Sequence, residues 1–348
     1  MNLYIRSTGN ISPQDSLHPE KFFAGRITHD GNRMNAVEPD YTQFVDSKMI
    51  RRMSHIVKMG VSAALSCLKS VSVSMPEAII TGTAYGCLED TDVFLRRMIE
   101  NKEELLTPTA FIQSTHNTVG AQIALLLKCH AYNNTIVHRG FSFENALLDA
   151  SLLIAEGLDN ILVGGIDEII PDSHAILSRF GIYRSENSSP SKGAIAGEGA
   201  AFFLLSGKQQ GNEMACIKSM STLYKPANLQ EIENAVQQVL QESGIGMKDI
   251  DLVLPGHNGD HVHDQIDELL AGGLFQKKPA FPFKSLCGEY PTATGFACWL
   301  AALLIKEQSV PEWFSLGALS PKNILIHNHD LTGHYSLMLV SACSTTGI

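Results

Sequence analysis

The reactive side chains of this sequence fall into a few segments, and no segment holds a complete catalytic set. The stretch His138-Arg139-Gly140-Phe141-Ser142-Phe143 offers one hydroxyl, Ser142, and one local base, His138. A serine beside an activating imidazole is a nucleophile for acyl transfer. A serine between two phenylalanines at a helix start is more commonly an N-cap. The run Pro255–Asp267 (PGHNGDHVHDQID) carries His257, Asp260, His261, His263 and Asp264. Three imidazoles and two carboxylates are ligand enough for a metal ion, and on a strand His261 and His263 would point the same way. The spacing matches no common zinc signature. Glu198 in AGEGAA and Glu289 in KSLCGEYPTATG are candidates for a carboxylate pair, with Glu198 also readable as a buried carboxylate bonded to backbone. Gly164–Gly165 and Gly197–Gly199 lack the spacing of a phosphate-binding loop and read as close strand packing. No metal and no cofactor is expected from these patterns.

Seven cysteines stand at 67, 87, 129, 216, 287, 298 and 343, an odd count without a CxxC pair. Neither a disulfide framework nor a cysteine zinc site is expected, and a reducing, cytoplasmic setting fits. Cys87 and Cys287 read as small buried hydrophobes. The chain has 348 residues, a formal net charge of −10 and 44% hydrophobic residues, which suits a large folded core and excludes a disordered chain. The charge argues against a nucleic-acid surface, which needs clustered Lys and Arg. Lys48, Arg51 and Arg52 are a basic exception that reads as a solvated helix face or as a contact for an acidic partner. The opening MNLYIR lacks the pattern of a secretory signal, and the longest apolar run, Phe296–Ile305, is about half the ~20 residues of a membrane span.

The elements that must position these residues alternate. Helical spacing predicts helices over 50–71, 90–101, 118–130, 229–243, 265–270 and 292–308. Phe143, Ala146, Leu147, Ala150, Leu153 and Ile154 recur at helical intervals and predict a helix with a wide buried stripe. Short apolar runs predict strands at 77–82, 134–138, 160–165, 200–206, 216–223, 251–255, 323–327 and 335–340. Residues 185–192 read as a loop, and 207–212 as the boundary between two halves, 1–210 and 211–348. The same alternation in both halves hints at an internal duplication and indicates α/β architecture with covered central sheets.

Four of these segments stand in an informative order: NILVGGIDE, AGEGAA, KSLCGEYPTATG and GHYSLMLV, with RRMS at 51–54 ahead of them. The order resembles that of the β-ketoacyl-acyl-carrier-protein synthases. The resemblance implies a thiolase-like fold: two similar α/β halves with central mixed sheets in a layered α-β-α-β-α arrangement. It also implies a cysteine nucleophile at the start of a buried helix, where the helix terminus favours the thiolate. Two histidines in that family help decarboxylate a malonyl extender and stabilise oxyanions.

Carried over by position, the set is degenerate. The nucleophile belongs six residues before Ala146, at Gly140, and no Cys lies within ten residues. Matching Asp264 to the end of the family's H-x-T-x-T-x-x-G-D loop puts Gly256 at the first histidine, with His257 one residue late. The K-S-x-x-G-H segment keeps Lys284 but has Glu289 at the histidine, and the family's Phe-Gly-Gly-Thr-Asn stretch is Asp330-Leu331-Thr332-Gly333-His334. This resembles the chain-length-factor partners of ketosynthases. HRGFSFENALLDA is further similar to ketosynthase-like proteins of aryl-polyene and flexirubin-type pigment clusters. The resemblance implies a silent subunit, with an elbow degenerate near 138–143, that dimerises through 134–138 with a Cys-containing ketosynthase or with itself. It implies acyl and malonyl groups delivered as carrier-protein or CoA thioesters. The competing expectation is an acyltransferase or malonyl-thioester decarboxylase of the same fold, acting through Glu289, His257 or Ser142.

Overall fold

A computed structural model describes residues 2–104, 106–185 and 192–343. In chain order the first half holds β1 (Leu3–Ile11), α1 (Pro19–Ala24), β2 (Arg33–Met34), α2 (Ser47–Ile50), α3 (His55–Ser70), β3 (Ala78–Gly82), α4 (Leu88–Glu100) and α5 (Pro108–Gln113). It continues through α6 (Thr118–Leu127), β4 (Tyr132–Ile136), α7 (Ser142–Ala155), β5 (Ile161–Asp167), α8 (Pro171–Arg179), β6 (Ala196–Gly197) and β7 (Gly199–Ser206). The second half holds β8 (Ala215–Tyr224), α9 (Leu229–Glu242), β9 (Leu252–Pro255), α10 (His261–Gly272), α11 (Lys284–Cys287), α12 (Ala293–Glu307), β10 (Asn323–His329) and β11 (His334–Ser341).

The strand pairing repeats. In the first half β1 runs antiparallel to β7, β7 antiparallel to β5, and β5 parallel to β3. In the second, β8 runs antiparallel to β11, β11 antiparallel to β10, and β10 parallel to β9. A helix precedes β5 (α7) and β10 (α12) in the same way, so the duplication hinted at by the alternation is visible in the topology. The two sets join through a short antiparallel pairing of Leu3–Ile5 with Ala215–Ile217, giving one mixed sheet of order β4-β3-β5-β7-β1-β8-β11-β10-β9.

Helices α7 and α12 pack against each other. Phe143, Ala146, Leu147 and Ala150 put the predicted stripe of α7 into the main core with Ile80, Ile161 and Phe203. Every residue of α12 from Ala293 to Ile305 is buried, as expected of a helix that is apolar all round. It touches strands of both halves, from β5, β7 and β1 to β8, β11 and β10. Each fully buried large side chain there contributes about 1.5–3 kcal/mol over its exposed state. α3 covers the outer face of the first half, and α9 that of the second.

Several elements depart from the sequence reading. Residues 50–71 do not form one helix: α2 ends at Ile50, and the turn at Arg51–Met53 separates it from α3. β1 was not legible because its second half is polar yet buried: Ser7 and Asn10 are almost fully buried. At Gly9 a Cβ would lie 2.0 Å from the carbonyl oxygen of Ala63 in α3. His261 and His263 open α10 and do not lie on a strand; the Asp260 carboxylate caps that helix by accepting from the N–H groups of Val262 and His263. The fourth strand runs from 132 to 136, two residues earlier than expected. Of the loop expected at 185–192, residues 186–191 lie outside the described residues.

Candidate functional site

The chain leaves β4, turns through His138–Phe141 and enters α7 at Ser142. Arg139 carries the turn in the left-handed region at φ 49°. Gly82, the last residue of β3, lets the first turn of α7 approach, since a Cβ there would lie 2.4 Å from the Ser142 carbonyl oxygen.

Gly140 sits at the expected nucleophile position, and its backbone is not left-handed. Space explains it. A Cβ on Gly140 would lie 2.7 Å from Asp330 Oδ2 and 2.8 Å from His334 Cβ. The space a side chain at 140 would take is therefore filled by Asp330 and His334. Asp330 and His334 come from the tight turn between β10 and β11. The Asp330 carboxylate accepts from the N–H groups of Thr332 (2.8 Å) and His334 (3.0 Å), and its Oδ2 holds His334 Nδ1 at 3.0 Å. The imidazole stacks edge-on against Phe141, with ring centroids 4.6 Å apart. Burial works against the Asp330 charge, but its bonds to His334 and Thr332 outweigh it and hold the carboxyl at about 2.

Ser142 is fully buried. Its hydroxyl oxygen accepts from the His138 N–H (2.8 Å), and the hydroxyl faces the carbonyl oxygens of Arg139 (2.8 Å) and Thr83 (3.0 Å). The expected capping of its own helix is not what it does; it ties the turn shut from behind. His138 Nδ1 is bonded to the Asn145 amide at 2.6 Å and does not activate Ser142.

Glu289 is buried beside Lys284. The Lys284 ammonium and the Asn258 amide both donate to Glu289 Oε2 at 2.8 Å, and Lys284 donates also to the His329 carbonyl oxygen. Burial pushes the Glu289 carboxyl up, opposed by the Lys284 charge. Its backbone is fixed by a bridge to Ala196. That approach needs Gly197, where a Cβ would lie 1.9 Å from the Cys287 carbonyl oxygen.

The remaining sequence candidates are placed elsewhere. A Cβ on Gly256 would meet Asn328 Oδ1 at 2.9 Å, while His257 turns toward α10, with Nε2 3.6 Å from Asp267 Oδ2. The residue of that loop that reaches Glu289 is Asn258. Glu198 does not pair with Glu289; it accepts from the N–H groups of Ala36 and Ile169 and from His55 Nε2 (3.1 Å). His263 binds Asp260 at 2.8 Å, and His261 is exposed. The cysteines are free, and all but Cys343 are buried. Burial pushes Cys67 and Cys216 up to about 12, where a thiolate is scarce at neutral pH.

The sequence reading did not assign roles to Asn258, Asp330 or His334. The signal for the last two was the replacement of Phe-Gly-Gly-Thr-Asn by a turn with an acid and an imidazole four residues apart. Asp167, at the end of β5, also belongs here. It accepts from Thr83 Oγ1 (2.9 Å), the Ala84 N–H (2.8 Å) and Thr292 Oγ1 (2.9 Å), so it links the two central helices' neighbourhoods.

The family model described as "Beta-ketoacyl synthase, N-terminal domain" matches residues 28–242, more than half of the chain. No curated protein matches it by sequence. Among solved structures, the ishigamide ketosynthase/chain length factor superposes with a TM-score of 0.80 at 15% identity, covering 99% of both chains. A β-ketoacyl synthase from Burkholderia phymatum STM815 gives 0.78 at 16% identity, over 99% of this chain and 100% of the other. The ketosynthase ApeO in complex with its chain length factor ApeC, from Xenorhabdus doucetiae, gives 0.76 at 15% identity over 98% of each. With the family model matched over more than half of its length, the chain belongs to the β-ketoacyl synthase family.

Proposed function

We propose that this protein is a catalytically silent, chain-length-factor-like subunit of a fatty-acid or polyketide-type (polyene) synthase. It would pair with a Cys-containing ketosynthase in the cytoplasm and use no catalytic cofactor. One observation carries the reading: the turn has no thiol, and the side-chain position at Gly140 is occupied by Asp330 and His334, which would have to move to admit one. The Lys284–Glu289 pair strengthens it. An anionic carboxylate bound to an ammonium accepts hydrogen bonds and does not donate to a thioester oxyanion. The alternative nucleophile Ser142 is committed to backbone, and His257 faces another cluster.

The fold supports this choice of partner. Among the described residues β4 pairs with β3 alone and so lies at an edge of the sheet, and Tyr132 within it and Val137 just after it are exposed. Such an edge is a template for a second chain. Neighbouring structures include the ApeO complex with its chain length factor and one of AntDE with an acyl-carrier protein, AntF. For this chain we propose the same two kinds of partner, with the halves 1–210 and 211–348 acting as one body.

Reconstitution tests the reading. The purified chain, mixed with a Cys-containing ketosynthase, acyl-carrier protein and malonyl thioester, is expected to bind the ketosynthase and change the length distribution of its products. Turnover of malonyl thioester by the chain alone, lost in Glu289→Ala, would overturn it.

A further inference from the structure

The second half contains a buried His–Asp cluster that the elbow does not use. β10 alternates, so His327 and His329 face the same side, toward α10; Asp264 and Asp267, three apart on α10, face them. His327 and His329 are fully buried, and Asp267 is 3% exposed. His327 Nδ1 lies 2.6 Å from Asp267 Oδ1, and His329 Nε2 lies 3.1 Å from Asp267 Oδ2. A plain hydrogen-bond network would account for those two contacts. It does not account for His257, whose Nε2 is buried, without a hydrogen bond, and aimed at the same Asp267 Oδ2 from 3.6 Å. Asp264, held by backbone N–H groups, keeps Oδ1 3.7 Å from His329 Nε2, too far for a hydrogen bond between them.

We propose that Asp264, Asp267 and His329, joined by His257, form a binding site for one divalent first-row metal ion, best suited to Zn²⁺. Ligand atoms of the first three lie within 4.8 Å of one another. Ligands about 2.0–2.1 Å from a tetrahedral ion stand roughly 3.3–3.5 Å apart. The separations of 3.1, 3.6 and 3.7 Å bracket that spacing, and two are too long for hydrogen bonds. The ion would take the place of the proton between His329 Nε2 and Asp267 Oδ2, and that proton leaves to solvent. Two carboxylates and two neutral imidazoles balance a divalent charge, and mixed N/O donors suit Zn²⁺ ahead of Mg²⁺ or Ca²⁺. The ligands are held in place. The N–H groups of Asn258 and Gly259 each bond one oxygen of Asp264 at 2.9 Å, and His327 holds the far oxygen of Asp267. The ion would pin α10 to β10 and so fix the His329 carbonyl that receives Lys284.

The test uses the full chain, stripped with chelator and dialysed. Titration with ZnCl₂ by calorimetry is expected to give one ion per chain and to raise the unfolding temperature, and Co²⁺ is expected to give a tetrahedral visible spectrum. Asp264→Asn and His257→Ala, at the half-exposed ligands, should each weaken Zn²⁺ binding tenfold or more. His261→Ala/His263→Ala, on the exposed face of the same helix start, should leave it unchanged. No stoichiometric binding, or binding lost in the His261/His263 variant and kept in Asp264→Asn, would overturn the proposal. Should His329→Gln or Asp267→Asn fail to fold, the two half-exposed variants decide it.

Discussion

At position 140 the absence of one methyl group lets two halves of the molecule meet. Adding it as Gly140→Ala is expected to cost about 1–3 kcal/mol, as overpacking does, because Asp330 and His334 must move. His334→Gly in the same chain should recover part of that loss, because it removes the Cβ and Cγ contacts and leaves only the tip of Asp330 in the way. Denaturant unfolding of the two single variants and the double variant checks this, and additive effects would contradict it. Glu289 and Lys284 are a second coupled pair. Lys284→Ala strands a buried carboxylate and is expected to cost about 3–5 kcal/mol, whereas Lys284→Met with Glu289→Leu should cost much less. Equal losses in the single and double variants would contradict a buried ion pair.

At the scale of elements, the strands and helices that bury on a regular period were readable, and those that do not were missed. The stripe of α7 and the all-apolar α12 follow from spacing and composition alone. β1 escaped because Ser7, Gly9 and Asn10 are buried by tertiary packing that no local pattern encodes. The proposed site was legible as a departure from the family's motifs: Gly140 and Glu289 stand where the resemblance puts a cysteine and a histidine. What fills the space at 140 was not, since Asp330 and His334 are nearly two hundred residues from the turn they plug. The His257 loop was misread for a similar reason, because a capping aspartate turned 261–263 into helix and left Asn258 to face Glu289. The edge β4 carries its own prediction. Val137→Lys should abolish association with a ketosynthase partner, measured by size-exclusion light scattering, while leaving the unfolding temperature within a degree or two. Unchanged association would move the interface elsewhere.

For the whole molecule, buried carboxylates set the response to pH. Burial pushes Asp167 up to about 6 and Glu168 up to about 7. Groups raised in the fold bind protons that the unfolded chain releases. Their contribution is full below the ordinary carboxylate range and is lost as pH rises through 6 to 7. At His55 burial opposes the charge, Glu198 outweighs it, and the imidazole rises to about 9, so its contribution is lost as pH rises from 6.5 through 9. Asp330 has the opposite sign: its contribution is present above about 4 and lost as pH falls toward 2. The unfolding temperature should therefore be higher at pH 5.5 than at pH 8.5. A flat or rising profile across that range would contradict the assignment.

All these scales meet in the claim that the turn before α7 holds no nucleophile. The most direct measurement is the intact mass of this chain after incubation with acyl-loaded carrier protein, alone and with a Cys-containing ketosynthase. The account predicts no acyl adduct on this chain in either case and an adduct on the ketosynthase. An adduct on this chain alone, mapped to Ser142 or to one of the buried cysteines, would contradict it.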